Sequence, residues 1–192
     1  TIKTGYVGHG TDIVPVGGKP GDHEWHHGQY MVNHYRDIVK KAAEYKIMLD
    51  VHEPIKATGI RRTYPNMMTR EGARGQEYNA WSGDGGNPPD HTTILPFTRL
   101  LGGPMDFTPG IIDLTFDHAN RIDNRVNTTL AKQLALYVVL YSPLQMAADL
   151  PENYKDEPAF QFIKDVPVDW ETTLVPHGEI GDYVVIVRKD RN

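Results

Sequence analysis

An α/β fold is what this sequence predicts, on three observations. Short apolar stretches rich in β-branched residues alternate with helical patterns. The loops that follow those stretches are long and polar. After residue 166 the pattern changes to two strands separated by a turn. Alternating strands and helices imply a parallel sheet with helical crossovers, either as a (β/α) barrel or as a doubly wound open sheet. No GxGxxG or GxxxxGK[ST] string opens a helix, which argues against a nucleotide-binding version.

Taken in order, residues 2–7 predict a strand, and a Gly/Pro/His loop follows to about His27. Residues 28–45 predict a helix, because Met31, Tyr35, Ile38, Val39 and Ala42 recur at spacings of three and four. Lys40, Lys41 and Lys46 suit the negative pole at its end. Residues 47–51 form the next strand, and a long loop with Glu53, Glu71 and Glu77 comes next. A helix is predicted over residues 91–101, stopped by Gly102-Gly103-Pro104, and a short strand over 105–107. Thr128 is the expected N-cap of an apolar helix running to about Tyr141, largely buried and ended by Ser142-Pro143. A short helix follows near 158–164. Strands over 170–176 and 183–188 flank turns at His177-Gly178 and Gly181-Asp182. The chain starts and stops in strand-like runs, so it reads as an internal piece of a longer protein.

Composition narrows the function classes. The net charge of −5 argues against a nucleic-acid or anionic-membrane partner, each of which favours a basic stripe. No apolar run approaches the roughly 20 residues of a membrane span, so membrane insertion is not expected. With no cysteine there is neither a disulfide nor a thiolate metal site, and no redox compartment is implied.

Residues 51–81 carry the chemistry. Glu53 directly follows a strand, and Glu71 and Glu77 sit among Arg, Asn, Tyr, Gly and Trp. That mixture suits a polar, neutral, ring-shaped ligand. Hydrolysing a glycosidic bond takes a proton on the leaving oxygen and a base or nucleophile on the opposite face of the sugar, which two carboxylates supply. Tyr78 and Trp81 offer flat faces for sugar C–H bonds. The bland alternative makes each glutamate a solvated charge or a partner of Arg61, Arg62, Arg70 or Arg74. A Ca²⁺ site is a further reading, since carboxylates are its usual anionic donors, although no DxDxDG loop is present. His23, His26 and His27, with His9 nearby, lack the HExxH spacing of a zinc site and read as loop histidines. Asp106 either ends a strand in the pocket or caps the turn before Thr108-Pro109.

The strings HEPIKATGIRRTYPN, TREGARGQEYNAW and NPPDHTTILPFTRLLGGPMDFTPG, with IKTGYVG upstream, resemble glycoside hydrolase family 97. The resemblance covers nearly the whole chain. It implies that residues 1–166 are the second half of a (β/α)8 TIM-type barrel, from about the fourth strand, and that residues 167–192 begin a small C-terminal all-β domain. The N-terminal β-sandwich and the first barrel strands are absent from this chain. Retaining members place an aspartate nucleophile where this sequence has Gly5, so the resemblance is to the inverting, α-glucosidase branch. It implies that Glu53 is the general base and Glu77 the general acid. It further implies that Glu53, Glu71 and Glu77 hold Ca²⁺, and that Lys3 and His52 contact the sugar. The expected partner is an α-linked oligosaccharide, and the expected location is periplasmic or secreted in a bacterium. A retaining α-galactosidase and a non-catalytic carbohydrate-binding homologue are the rival readings.

Overall fold

The computed structural model describes residues 1–5, 18–19, 22–117 and 123–191. It is mixed α/β and divides into two compact units, Thr1–Gly72 and Ala73–Asn192. The 6–7 end of the first predicted strand, and His9, lie outside the described residues. No helix among the described residues is long and apolar enough to cross a membrane.

Among the described residues, the first unit is a three-stranded parallel sheet backed by a 16-residue helix. Strand β1 (Ile2–Thr4) leads to helix α1 (Gln29–Glu44), then to β2 (Leu49–Val51) and β3 (Met67–Arg70), and the strand order is β1-β2-β3. Ile2, Lys3 and Thr4 lie opposite Leu49, Asp50 and Val51, and β2 pairs with β3 in the same direction. Helix α1 buries Met31, Tyr35, Val39 and Ala42, the stripe its apolar spacing predicts. These pack on Leu49, Val51 and Met67 of the sheet to form one core. Lys46 takes a left-handed conformation at φ 54°, which turns the chain so that the Ile47 N–H returns to the Ala42 carbonyl at 2.9 Å. The side chain of Asn66 then donates to the carbonyls of Val39 and Ile47, at 3.2 and 3.3 Å, tying the helix to the β2 entrance. Strand β3 falls where the sequence suggested only loop. Its four residues are too few, and too polar at the Arg70 end, to leave a period.

The second unit is built on short helices and one hairpin: α2 (Tyr78–Trp81), α3 (His91–Ile94), α4 (Leu130–Val139), α5 (Pro151–Tyr154), α6 (Ala159–Asp165), β4 (Trp170–Glu179) and β5 (Tyr183–Asp190). The helix expected over 91–101 is instead α3 followed by two 3-10 turns. Pro96 lacks the N–H that a continuing α-helix needs, and Thr98 leaves the helical region at φ −128°. The strand expected at 105–107 reduces to isolated backbone contacts, from the Met105 N–H to the Tyr141 carbonyl at 3.0 Å and from the Gln76 N–H to the Phe107 carbonyl at 2.8 Å. Helix α4 is capped by Thr129, not Thr128: the Thr129 hydroxyl accepts from the Lys132 N–H. It buries one face, through Gln133, Leu136 and Tyr137, and leaves Ala131 and Ala135 exposed.

One core of this unit joins Leu95, Met105, Phe107, Leu136 and Leu140, and another joins Ile111, Phe116 and Val126. The β4–β5 hairpin is antiparallel and runs through His177-Gly178, where a turn was expected. A Cβ on Gly178 would come within 2.8 Å of the Phe97 ring, so the glycine serves a close approach and the reversal waits for Gly181, at φ 84°.

Candidate functional site

Glu53 emerges two residues beyond the end of β2 and carries an unusual backbone. Its φ is +42°, a left-handed value for a non-glycine residue, and the next residue is Pro54. A residue before proline ordinarily stays extended, so this conformation is unfavourable on two counts and costs about 1–3 kcal/mol. Hydrogen bonds on both sides hold it. The Tyr35 hydroxyl donates to the Glu53 carbonyl at 2.5 Å, and the Glu53 N–H donates to Glu71 Oε2 at 3.4 Å. Each bond of this kind contributes about 0.5–1.5 kcal/mol, so the pair is of the right size to offset the strain. Burial, and then the Glu53 charge, push the Tyr35 phenol well above its usual range, so it remains a donor.

His52, buried on the preceding residue, ties the loop to the sheet. Its Nδ1 lies 3.6 Å from Glu71 Oε2 and its Nε2 lies 3.8 Å from Asp50 Oδ2. The first unit thus gathers Glu53, His52 and Glu71 at the ends of β2 and β3. Lys3 is on β1, opposite Asp50. Gly5 closes the group: a Cβ there would stand 3.0 Å from Glu53 Oε2 and 3.2 Å from His52 Cβ. The ends of parallel strands therefore present carboxylates and an imidazole, packed closely enough on Gly5 to leave no room for a side chain there. A separate small cleft of about 30 Å³, whose lining includes Tyr35, Val39, Val51, Pro54, Ile55 and Met67, does not include Glu53, His52 or Glu71 in its wall.

Even a methyl group at residue 5 has to displace the Glu53 carboxylate by a few tenths of an ångström. Gly5→Ala is therefore expected to fold normally and, with Glu53 as the reacting group proposed below, to lower turnover about tenfold, since small misplacements of reacting groups are costly. Steady-state rates with a parallel melting curve check this; wild-type turnover would show that the close packing on Gly5 does not matter.

In the second unit Glu77 precedes α2 in helical geometry. The Thr108 hydroxyl donates to Glu77 Oε1 at 3.4 Å. Thr108 itself sits at φ 58°, a strained value for a β-branched residue, and its N–H is accepted by Asp106 Oδ1 at 2.9 Å. Asp106 is fully buried, and of its two sequence readings the structure shows the turn cap. Next to Glu77, buried amides fix the chain. The Gln76 N–H reaches the Phe107 carbonyl at 2.8 Å, and the Gln76 side chain donates to Gln133 Oε1 at 2.7 Å. The Gly110 N–H shares that Gln133 oxygen at 3.2 Å. Tyr78 is covered on one face by Arg74, 4.6 Å from its centroid, and donates to Asp84 at 2.6 Å, whereas Trp81 is 65% exposed. Of the two aromatic platforms expected, Trp81 is the open one. His26 is buried edge-on to Tyr35, consistent with a packing role for the histidine loop.

The sequence reading missed Tyr35, Thr108 and Gln133. Only Asp106-Phe107-Thr108, an Asx-turn pattern, carried a local signal.

Comparison with known proteins accounts for this arrangement. Residues 1–73 match the family model described as Glycoside hydrolase 97. A Glycoside Hydrolase Family 97 enzyme from a Pseudoalteromonas strain, solved with acarbose, superposes with a TM-score of 0.89 at 59% identity, covering 99% of this chain and 29% of that one. The chain belongs to glycoside hydrolase family 97. A family 97 structure from the same source with panose gives a TM-score of 0.82 at 62% identity, over 88% of this chain and 26% of that one. The protein named retaining alpha-galactosidase from Bacteroides thetaiotaomicron is 36% identical over 77% of this chain and 23% of its own length. The chain thus spans about a quarter of the length of the family 97 relatives it matches.

Proposed function

We propose that the intact protein is a glycosidase that hydrolyses α-glucosidic bonds in oligosaccharides with inversion, Glu53 acting as general base and Glu77 as general acid. The observation that carries this reading is Gly5, where the Glu53 carboxylate packs so close that a Cβ would stand only 3.0 Å from it. An aspartate nucleophile at that position is what retention requires in the family, and glycine offers no atom to attack the anomeric carbon. Names among the relatives pull both ways: two are called retaining or probable retaining alpha-galactosidases, while the complexes with panose and acarbose support an oligosaccharide substrate. Gly5 favours the inverting reading over the galactosidase one.

Chemically, Glu53 takes a proton from the attacking water, and Glu77 gives one to the departing oxygen. Lys3 and His52 orient the sugar in this reading. In this reading residues 1–166 are a barrel segment, and the parallel order β1-β2-β3 over residues 2–70 supports its first part. The hairpin leaves Leu174, Val175 and Val187 more than half exposed, which supports a larger C-terminal β-layer beginning at 167. Glu53, Glu71 and Glu77 would hold Ca²⁺: the convergence of Glu71 on the Glu53 loop offers hard oxygen donors, which suit that ion. The ion would supply fixed positive charge that keeps neighbouring carboxylates ionised. A periplasmic or secreted location accords with such a substrate.

Stereochemistry tests the proposal. Proton NMR of the first product released from an α-linked glucoside should show the β-anomer, with the α-anomer growing in later by mutarotation. An α-anomer first overturns inversion.

A further inference from the structure

We propose that Tyr35 is a positioning residue for Glu53, setting the direction of its carboxylate by holding its carbonyl in the left-handed conformation. The inference rests on Glu53 being the base. Buried tyrosines commonly find some carbonyl to bond, and Tyr35, 6% exposed in the core of the first unit, needs one. What is particular is the carbonyl it takes. Glu53 is a non-glycine residue at positive φ before a proline, so nothing local maintains its backbone.

The bond from the Tyr35 hydroxyl, 2.5 Å long, fixes the peptide after Glu53, and the Glu71 carboxylate accepts from the peptide before it at 3.4 Å. With both flanking peptides held, the Cα–Cβ direction of Glu53 is determined. The two anchors differ in kind. Glu71 comes from the end of β3 and belongs to the acidic group itself, whereas Tyr35 comes from the middle of α1 and reaches the Glu53 carbonyl from the core. Release of that carbonyl lets Glu53 relax toward the extended region, swinging its carboxylate away from Gly5.

A double-mutant cycle in the intact protein tests this, using Tyr35→Phe, Glu53→Gln and both together, with kcat, KM and melting temperature measured on an α-linked glucosyl oligosaccharide and an activated aryl α-glucoside. Tyr35→Phe keeps the ring that packs in the core. The expected result is a fall in kcat of about 10–100-fold on both substrates, with KM within about twofold. In the Glu53→Gln background the same substitution should cost almost nothing, because the carboxylate it aims is already gone. Wild-type kcat in Tyr35→Phe, or an equal loss in both backgrounds, overturns the proposal. So does a Tyr35→Phe protein that fails to fold, since the hydroxyl would then serve the core. Full activity in Glu53→Gln would instead remove the base assignment beneath it.

Discussion

Glu53→Gln should lower turnover by about 10²–10⁴-fold, and by the same factor on oligosaccharides and on activated aryl glucosides. A water molecule needs its base whatever group departs, so leaving-group quality should not soften the loss. The substitution is clean because both hydrogen bonds that hold residue 53 described above use its backbone, the carbonyl to Tyr35 and the N–H to Glu71. Glutamine leaves both in place and replaces the group that accepts the proton. At 1.36 kcal/mol per decade, the expected loss is about 3–5 kcal/mol of transition-state stabilisation. Saturating initial rates on the two substrates measure it, and a loss confined to the oligosaccharide would show that Glu53 is the acid.

Glu77→Gln should give the opposite pattern. A general acid matters most when the departing oxygen is strongly basic, so oligosaccharide cleavage should fall about 10²–10⁴-fold while activated aryl glucosides lose far less. The side-chain oxygen of glutamine can still accept from the Thr108 hydroxyl, so the local turn through Asp106 should survive. Rates across aryl glucosides of graded leaving-group pKa provide the check: dependence on leaving group should be much steeper in the variant. Equal losses across that series would remove the acid assignment.

How much of this was legible depended on the range of the interactions involved. Helix α1 was plain because a helix writes its buried stripe at every third and fourth residue, and Met31, Tyr35, Val39 and Ala42 fall on it. Residues 91–101 misled because apolar spacing continued through Pro96, whose effect on the backbone outweighs the pattern. Gly178 was read as a turn residue, yet its reason for being glycine is the Phe97 ring, 81 positions away in sequence. The same limit governs the site. Glu53 declared itself by following a strand, but its anchor comes from Tyr35, separated by 18 positions, and the donor to Glu77 from Thr108, separated by 31. Contacts of that span leave no local trace, and only the fold discloses them.

The left-handed backbone at Glu53 has a bearing on any effort to make this protein hardier. Glycine, and to a lesser degree asparagine, tolerates such a torsion better than glutamate does, so the replacements that most relax this loop are the ones that delete its carboxylate. Directed evolution that rewards only heat resistance would therefore drift toward inert descendants at this codon. A library built for robustness should hold residue 53 constant and look for its gains elsewhere, with every round scored on turnover as well as survival.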